Sequence, residues 1–228
     1  MRMIIAPGLA AFVCFILSTA ARADDEFHPL FDGKTLDGWE QHGGKARYHV
    51  EGEEIVGTSV PNTPNSFLCT KEQYGDFILE LEFKVDKGLN SGVQIRSQVF
   101  DKETEIDFGN GTKKKVAADR VHGYQVEIDP SDRAWTAGIY DEGRRGWLNT
   151  LEKNQPAREA FRQNEWNQLR VVCQGDRLQT WLNGVPAADL TDGLTPRGLI
   201  ALQVHGVGDK AENVGKQVRW RKIRLKKL

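Results

Sequence analysis

Three short stretches of the chain carry polar side chains of kinds suited to chemistry. Residues 92–100 supply Gln94 and Arg96; residues 123–129 supply Gln125, Glu127 and Asp129; residues 199–205 supply Gln203 and His205. In each stretch polar and apolar residues alternate, with Val93, Ile95 and Val99 or Tyr124, Val126 and Ile128 on the opposite parity, as in a strand with one face on a core. A solvated sheet face also alternates in this way. Residues 76–86 show what that looks like in this chain: Asp76, Glu80, Glu82, Lys84 and Asp86 lie opposite Phe77, Leu79, Leu81, Phe83 and Val85. The three polar stretches differ, with Gln, Arg, His and carboxylates and no Lys. Brought together in one sheet they offer a base, a cation and amide donors, which suits proton transfer beside a hydroxyl-rich ligand. Glu127, His205 and Asp129 are the candidate catalytic residues. Gln94, Arg96, Gln125 and Gln203 are candidate substrate-binding residues. Flat rings complete the set: Tyr140 and Trp147, with Trp135, follow the carboxylate strand, and Trp181 shares the polar parity of its segment with Gln179 and Asn183. Rings of this kind cover the apolar faces of sugars. Trp39, Trp166 and Trp220 are assigned to the core.

Other chemistries lack their residues. Glu127-Ile128-Asp129 partly resembles the carboxylate strand of laminarinase-like retaining glycosidases, but Pro130 interrupts it and Asp132 stands where the second Glu belongs. Two carboxyl groups about 5–5.5 Å apart need an unbroken or bulged strand there. The five histidines show no ligand spacing and there is no zinc-type Cys pair, so no metal or other cofactor is expected. Asp129, Asp132, Asp141 and Glu142 are oxygen donors of the kind calcium takes, but they read first as turn residues. There is no phosphate-binding glycine loop and no nucleophile elbow.

The elements that must position these residues are strands. Helical periodicity is confined to residues 155–163, opened by Pro156. Elsewhere short alternating runs are separated by glycine turns, at Gly52, Gly88, Gly175 and Gly184 among others. Many short strands at regular spacing predict an all-β sandwich or barrel. Residues 101–121 are charged and contain Asn110-Gly111, so they read as a loop or mobile hairpin over one end of the sheet. The basic run at residues 216–227 reads as a solvated edge strand protected by charge.

The N-terminus has a positive Arg2, an apolar stretch, and Ala21-Arg22-Ala23 before Asp24, the pattern of a signal peptide over residues 1–23. This predicts a single domain over residues 24–228 that is secreted or periplasmic. Without Arg2 and Arg22, 29 basic residues face 32 acidic ones, a net charge of −3 that argues against a nucleic-acid partner. No later segment has the roughly 20 apolar residues of a membrane span. Cys69 and Cys173 read as two separate buried thiols. Oligomeric state leaves no mark on the sequence.

Taken jointly, several segments resemble the 3-keto-disaccharide hydrolase family. They are residues 30–39 (LFDGKTLDGW), 90–96 (NSGVQIR), 123–129 (GYQVEID), 138–141 (GIYD), 165–167 (EWN), 181–184 (WLNG) and 200–206 (IALQVHG). Where many members read Glu-Val-Gln, this chain has Gln125-Val126-Glu127. The resemblance implies a concanavalin A-like jelly-roll β-sandwich of two antiparallel sheets, and glycosides oxidised at C3 as substrates. A C3 ketone acidifies the hydrogen at C2. A base removes it, the glycosidic oxygen leaves C1, and water then adds. The expected roles are His205 or Glu127 as base, Arg96 with Gln203 on the enolate, and Asp129 as orienter or acid. A non-catalytic carbohydrate-binding module and a hydrolase of unoxidised glycosides are the alternative readings.

Overall fold

The computed structural model describes residues 26–228. The signal-peptide reading of residues 1–23 lies outside the described residues. In chain order the strands are β1 (His28–Pro29), β2 (Trp39–Gly43), β3 (Arg47–Glu51), β4 (Glu54–Thr58), β5 (Ser66–Thr70), β6 (Phe77–Val85), β7 (Ser91–Gln98), β8 (Thr104–Asp107), β9 (Lys113–Val116), β10 (His122–Ile128), β11 (Ile139–Glu142) and β12 (Gly146–Asn149). A short helix α1 (Gln155–Glu159) follows, then β13 (Asn167–Gln174), β14 (Arg177–Leu182), β15 (Val185–Thr191), β16 (Leu199–Val204) and β17 (Gln217–Lys227).

Two antiparallel sheets pack face to face. The first runs β15-β14-β13-β6-β17-β4-β3, with β1 also on β17; the second runs β12-β11-β10-β7-β16-β5-β2. Chain neighbours such as β6 and β7 lie in different sheets, which makes the sandwich a jelly roll. The alternation read in β6 is real: Phe77, Leu79, Leu81, Phe83 and Val85 are buried against the second sheet's Val93, Ile95, Tyr124, Val126, Ile128, Ile200, Leu202 and Val204. Each such side chain contributes about 1.5–3 kcal/mol by leaving water. Cys69 and Cys173 are free, buried thiols. The helix is shorter than its sequence pattern, with the Asn154 side chain capping Ala157 N–H and Pro in the first turn.

Two expectations are corrected. β17 is not an edge strand: it lies between β6 and β4. Its basic residues are there to match acids across the ladder, with Arg221 and Lys222 on Glu82, Arg224 on Glu80, and Arg219 on Glu51 and Glu54. Trp166 is not in the core. It is half-buried on the first sheet, with Arg221 3.9 Å and Lys84 5.0 Å from its ring centroid.

Residues 99–121 leave the sandwich as a strap over the outer face of the second sheet, carrying the β8–β9 hairpin. Asp119 ties the strap to β2, accepting from Gly43 N–H and pairing with His42 Nδ1 at 2.6 Å. Under the strap Phe67, Cys69, Val121, Leu199 and Ala201 form a second, smaller apolar cluster. Much of the outer face of this sheet is therefore dry.

Candidate functional site

Adjacent strands of the second sheet bring three of the polar stretches together. Register pairs Gln125 on β10 with Gln94 on β7 and with Tyr140 on β11, which pairs in turn with Trp147 on β12. One row along, Gly92 on β7 lies between Glu127 on β10 and Gln203 on β16. Gly92 is what lets these residues meet. A Cβ there would stand 2.5–2.7 Å from the Gln125 carboxamide, so the missing side chain is the space that carboxamide occupies. From it, Gln125 Oε1 accepts from Gln94 Nε2 at 2.6 Å and from Gln203 Nε2 at 2.9 Å, and its Nε2 donates to Glu127 Oε2 at 2.7 Å. The outer ends are held as well. Ser97 Oγ donates to Gln94 Oε1, and Asn90 Nδ2 donates to Glu127 Oε1 at 2.6 Å.

Glu127 is thus held on both oxygens and is only 5% exposed. Burial pushes its carboxyl up to about 7, against the two carboxamide donors, which favour the charged form. It is a carboxylate poised to exchange a proton near neutrality. Gly92→Ala is expected to displace Gln125, to cost about 1–3 kcal/mol, and to raise the Glu127 pKa further by removing a donor. Thermal unfolding, together with a pH–activity profile moved to higher pH, would show both effects.

Asp129 is engaged differently. Burial works against its charge, but hydrogen bonds from Ser131 and Arg133 hold its carboxyl below the ordinary range. Ser131 Oγ donates to it at 2.6 Å and Arg133 Nε at 2.8 Å, and Trp135 N–H also reaches it. It organises the loop after Pro130 and stays ionised, which suits an orienter and not an acid. The Arg133 guanidinium lies 4.9 Å from both the Trp135 and Trp147 ring centroids. Trp147 meets Trp135 and Tyr140 edge-on, and its ring reaches over Gly138, beside Glu127. Burial, with Glu142 and Glu127 close by, raises the Tyr140 pKa.

His205 follows β16 and is exposed. Its Nδ1 lies 2.7 Å from Gly206 O, which fixes the proton there and leaves Nε2 as the acceptor in the neutral ring. It shares a cleft of about 380 Å³ with Leu89, Asn90, Asp209 and Lys210. Asn90 therefore links that cleft to Glu127.

Two sequence candidates lie elsewhere. Arg96 has φ +46° at a bulge where β7 slips register against both β10 and β16. A bulge re-aims a side chain. Arg96 points away from Gln94, into the join between the sheets, donating to Gly75 O, Gly175 O and Asp76 Oδ1 at 2.7 Å each. Trp181 sits on β14 beside Arg170 and Pro186, on the outer side of the first sheet. Asn90, Ser97 and Arg133 are members that strand-face reasoning missed. Asn90 shares the parity of Gly92 and Gln94, which was the available signal. Among the described residues no group of three His, Cys, Asp or Glu is assembled for a metal. Asp141 is paired with Arg144 and Arg145, and Glu142 with Arg120.

Solved structures share this architecture. A candidate glycosyl hydrolase from Parabacteroides distasonis ATCC 8503 is 19% identical, with a TM-score of 0.57 over 89% of this chain and 94% of its own. A galectin-like protein of unknown function from Bacillus subtilis is 11% identical, with a TM-score of 0.59 over 89% and 94%. The carbohydrate-binding module CBM66 from Bacillus subtilis is 15% identical, with a TM-score of 0.51 over 83% and 95%. At these identities the likeness is one of fold. No curated protein matches the chain. The family model described as a 3-keto-alpha-glucoside-1,2-lyase-like domain matches residues 26–226. The chain belongs to that family, a jelly-roll family of carbohydrate-active, hydrolase-like domains.

Proposed function

We propose that this protein cleaves 3-keto-glycosides by elimination, with Glu127 as the base. The observation that carries this reading is the Glu127 carboxyl, buried and gripped by Asn90 and Gln125 on its two oxygens, with burial raising its pKa to about 7. A base with that pKa is half ionised at neutral pH and strong enough to take a proton made acidic by an adjacent ketone. Glu127 removes the C2 hydrogen, and the electron pair forms an enolate onto the C3 oxygen. The enolate re-forms the ketone as the C1–C2 double bond appears and the glycosidic oxygen leaves C1 with a proton. Water adding to C1, with a proton returned to C2, gives the free 3-keto sugar.

His205, across Asn90, is the candidate to give the leaving oxygen its proton, from Nε2 of the doubly protonated ring, with Nδ1–H held on Gly206 O. Gln203 and Gln94 hold the floor through Gln125, and Tyr140 and Trp147 supply a ring wall for the sugar face. Asp129 orients that wall through Arg133. The mechanism requires one base and no second carboxylate across C1. The N-terminal segment supports a secreted or periplasmic setting for this activity.

The test is a paired assay of a glucoside and its 3-keto counterpart. Cleavage confined to the oxidised substrate is expected. Release of sugar from the unoxidised glucoside, or binding of glycan with no cleavage of either, would overturn the reading.

A further inference from the structure

At the end of β10 remote from Glu127, four buried nitrogen atoms have no hydrogen-bond partner among the described residues: Nε of Arg120, both ring nitrogens of His122, and Nη1 of Arg144. They belong to one locality. Gly123 pairs with Glu142 across β10 and β11, which sets His122 beside Gly143. A Cβ on Gly143 would stand 3.2 Å from His122 Cβ and 3.5 Å from Arg120 Nε. Arg144 is the next residue. The Phe100 ring closes another side, 5.2 Å from the His122 ring. His122 is 0% exposed and Arg144 6%.

We propose that Arg120, His122 and Arg144 bind one monovalent, halide-sized anion, with chloride as the natural occupant. Guanidinium nitrogens only donate, so the Arg120 Nε–H and Arg144 Nη1–H require an acceptor. A buried donor left without one destabilises the fold. Neutral His122 adds a third N–H. Burial and the neighbouring Arg144 lower its pKa to about 4, so it stays neutral over the working range.

The charges facing this space set the valence. Arg120 is paired with Glu142; Arg144 and Arg145 share Asp141, and Arg145 also holds Asp192. Three cations meet three carboxylates. Lys114 is exposed at the surface and donates to the Arg144 carbonyl. With the surrounding pairs balanced, the site suits no more than one monovalent anion. The complete burial of His122 favours a single atom over a carboxylate or phosphate.

The experiment is a crystal of the intact protein grown or soaked in sodium bromide, measured at the bromine edge. An anomalous peak in contact with Arg120 Nε and Arg144 Nη1 is expected. Density there without a bromine signal overturns the proposal. In solution, chloride should raise the unfolding temperature saturably over gluconate at equal ionic strength, by roughly 5–10 °C at a hundredfold excess over Kd. Arg144→Met should abolish that increment. Because the bromide and wild-type chloride measurements need no variant, misfolding of Arg144→Met leaves the test intact. Equal unfolding temperatures of the wild type in the two salts also overturn it.

Discussion

Glu127→Gln is expected to lower kcat/KM for a 3-keto-glucoside by about 10²–10⁴ through loss of the general base, and to make the protein's stability less dependent on pH. The second effect has a definite sign. The folded Glu127 pKa, about 7, is raised above its ordinary 4.5. Its favourable share of stability is therefore complete below pH 4.5 and lost as pH rises through 7. The unfavourable part, a charged carboxylate held out of water, corresponds to about 3 kcal/mol once pH exceeds 7. Glutamine has no charge to bury. The stability of Glu127→Gln relative to the parent should therefore grow by about that amount between pH 4.5 and pH 8. Denaturant unfolding at the two pH values measures it, and a constant difference would show that Glu127 is not perturbed. Activity runs the other way, since catalysis needs the ionised form and rises through pH 7. The base is thus kept at a cost to stability under the conditions where it works.

Arg96→Met is expected to be the most destabilising of the substitutions at the sequence-derived candidates. Its guanidinium is fully buried and makes three bonds of 2.7 Å, two to backbone carbonyls and one to Asp76. Methionine strands the Gly75 and Gly175 carbonyls and leaves the bulge with no reason to keep φ positive. A loss of about 3–5 kcal/mol is expected, lowering the unfolding temperature by roughly 10 °C at this chain length. Measured well below that temperature, kcat/KM should stay within a few-fold of the parent. A variant of unchanged stability that had lost activity would return Arg96 to the enolate.

The two outcomes mark what the residues disclosed. Strand-face alternation located Gln94, Gln125, Glu127 and Gln203, because register in a sheet with a buried face is set by that pattern. The sandwich followed from the same alternation in β6, β7 and β10. Arg96 was misplaced because alternation assumes an unbroken pleat. An arginine at φ +46° has no signature of its own, and the partner that permits it is distant: a Cβ on Gly198 would lie 2.3–2.6 Å from the Arg96–Ser97 backbone. β17 was misread because its charges look like an exposed edge until Glu80 and Glu82 are known to lie beside it. Trp181 had the right parity in the wrong sheet, and parity carries no information on which sheet a strand joins. The path of the strap over the sheet was equally hidden, because it is set by Asp119 meeting His42, 77 residues apart.

Cleavage of a 3-keto-glucoside in D₂O tests the central chemistry most directly. With non-enzymatic exchange subtracted by an enzyme-free control, proton removal by Glu127 should leave one deuterium at C2 of the hydrated sugar, and Glu127→Gln should suppress both the label and the product. A product that forms at the full rate with the original hydrogen at C2 would contradict elimination and indicate direct hydrolysis at C1.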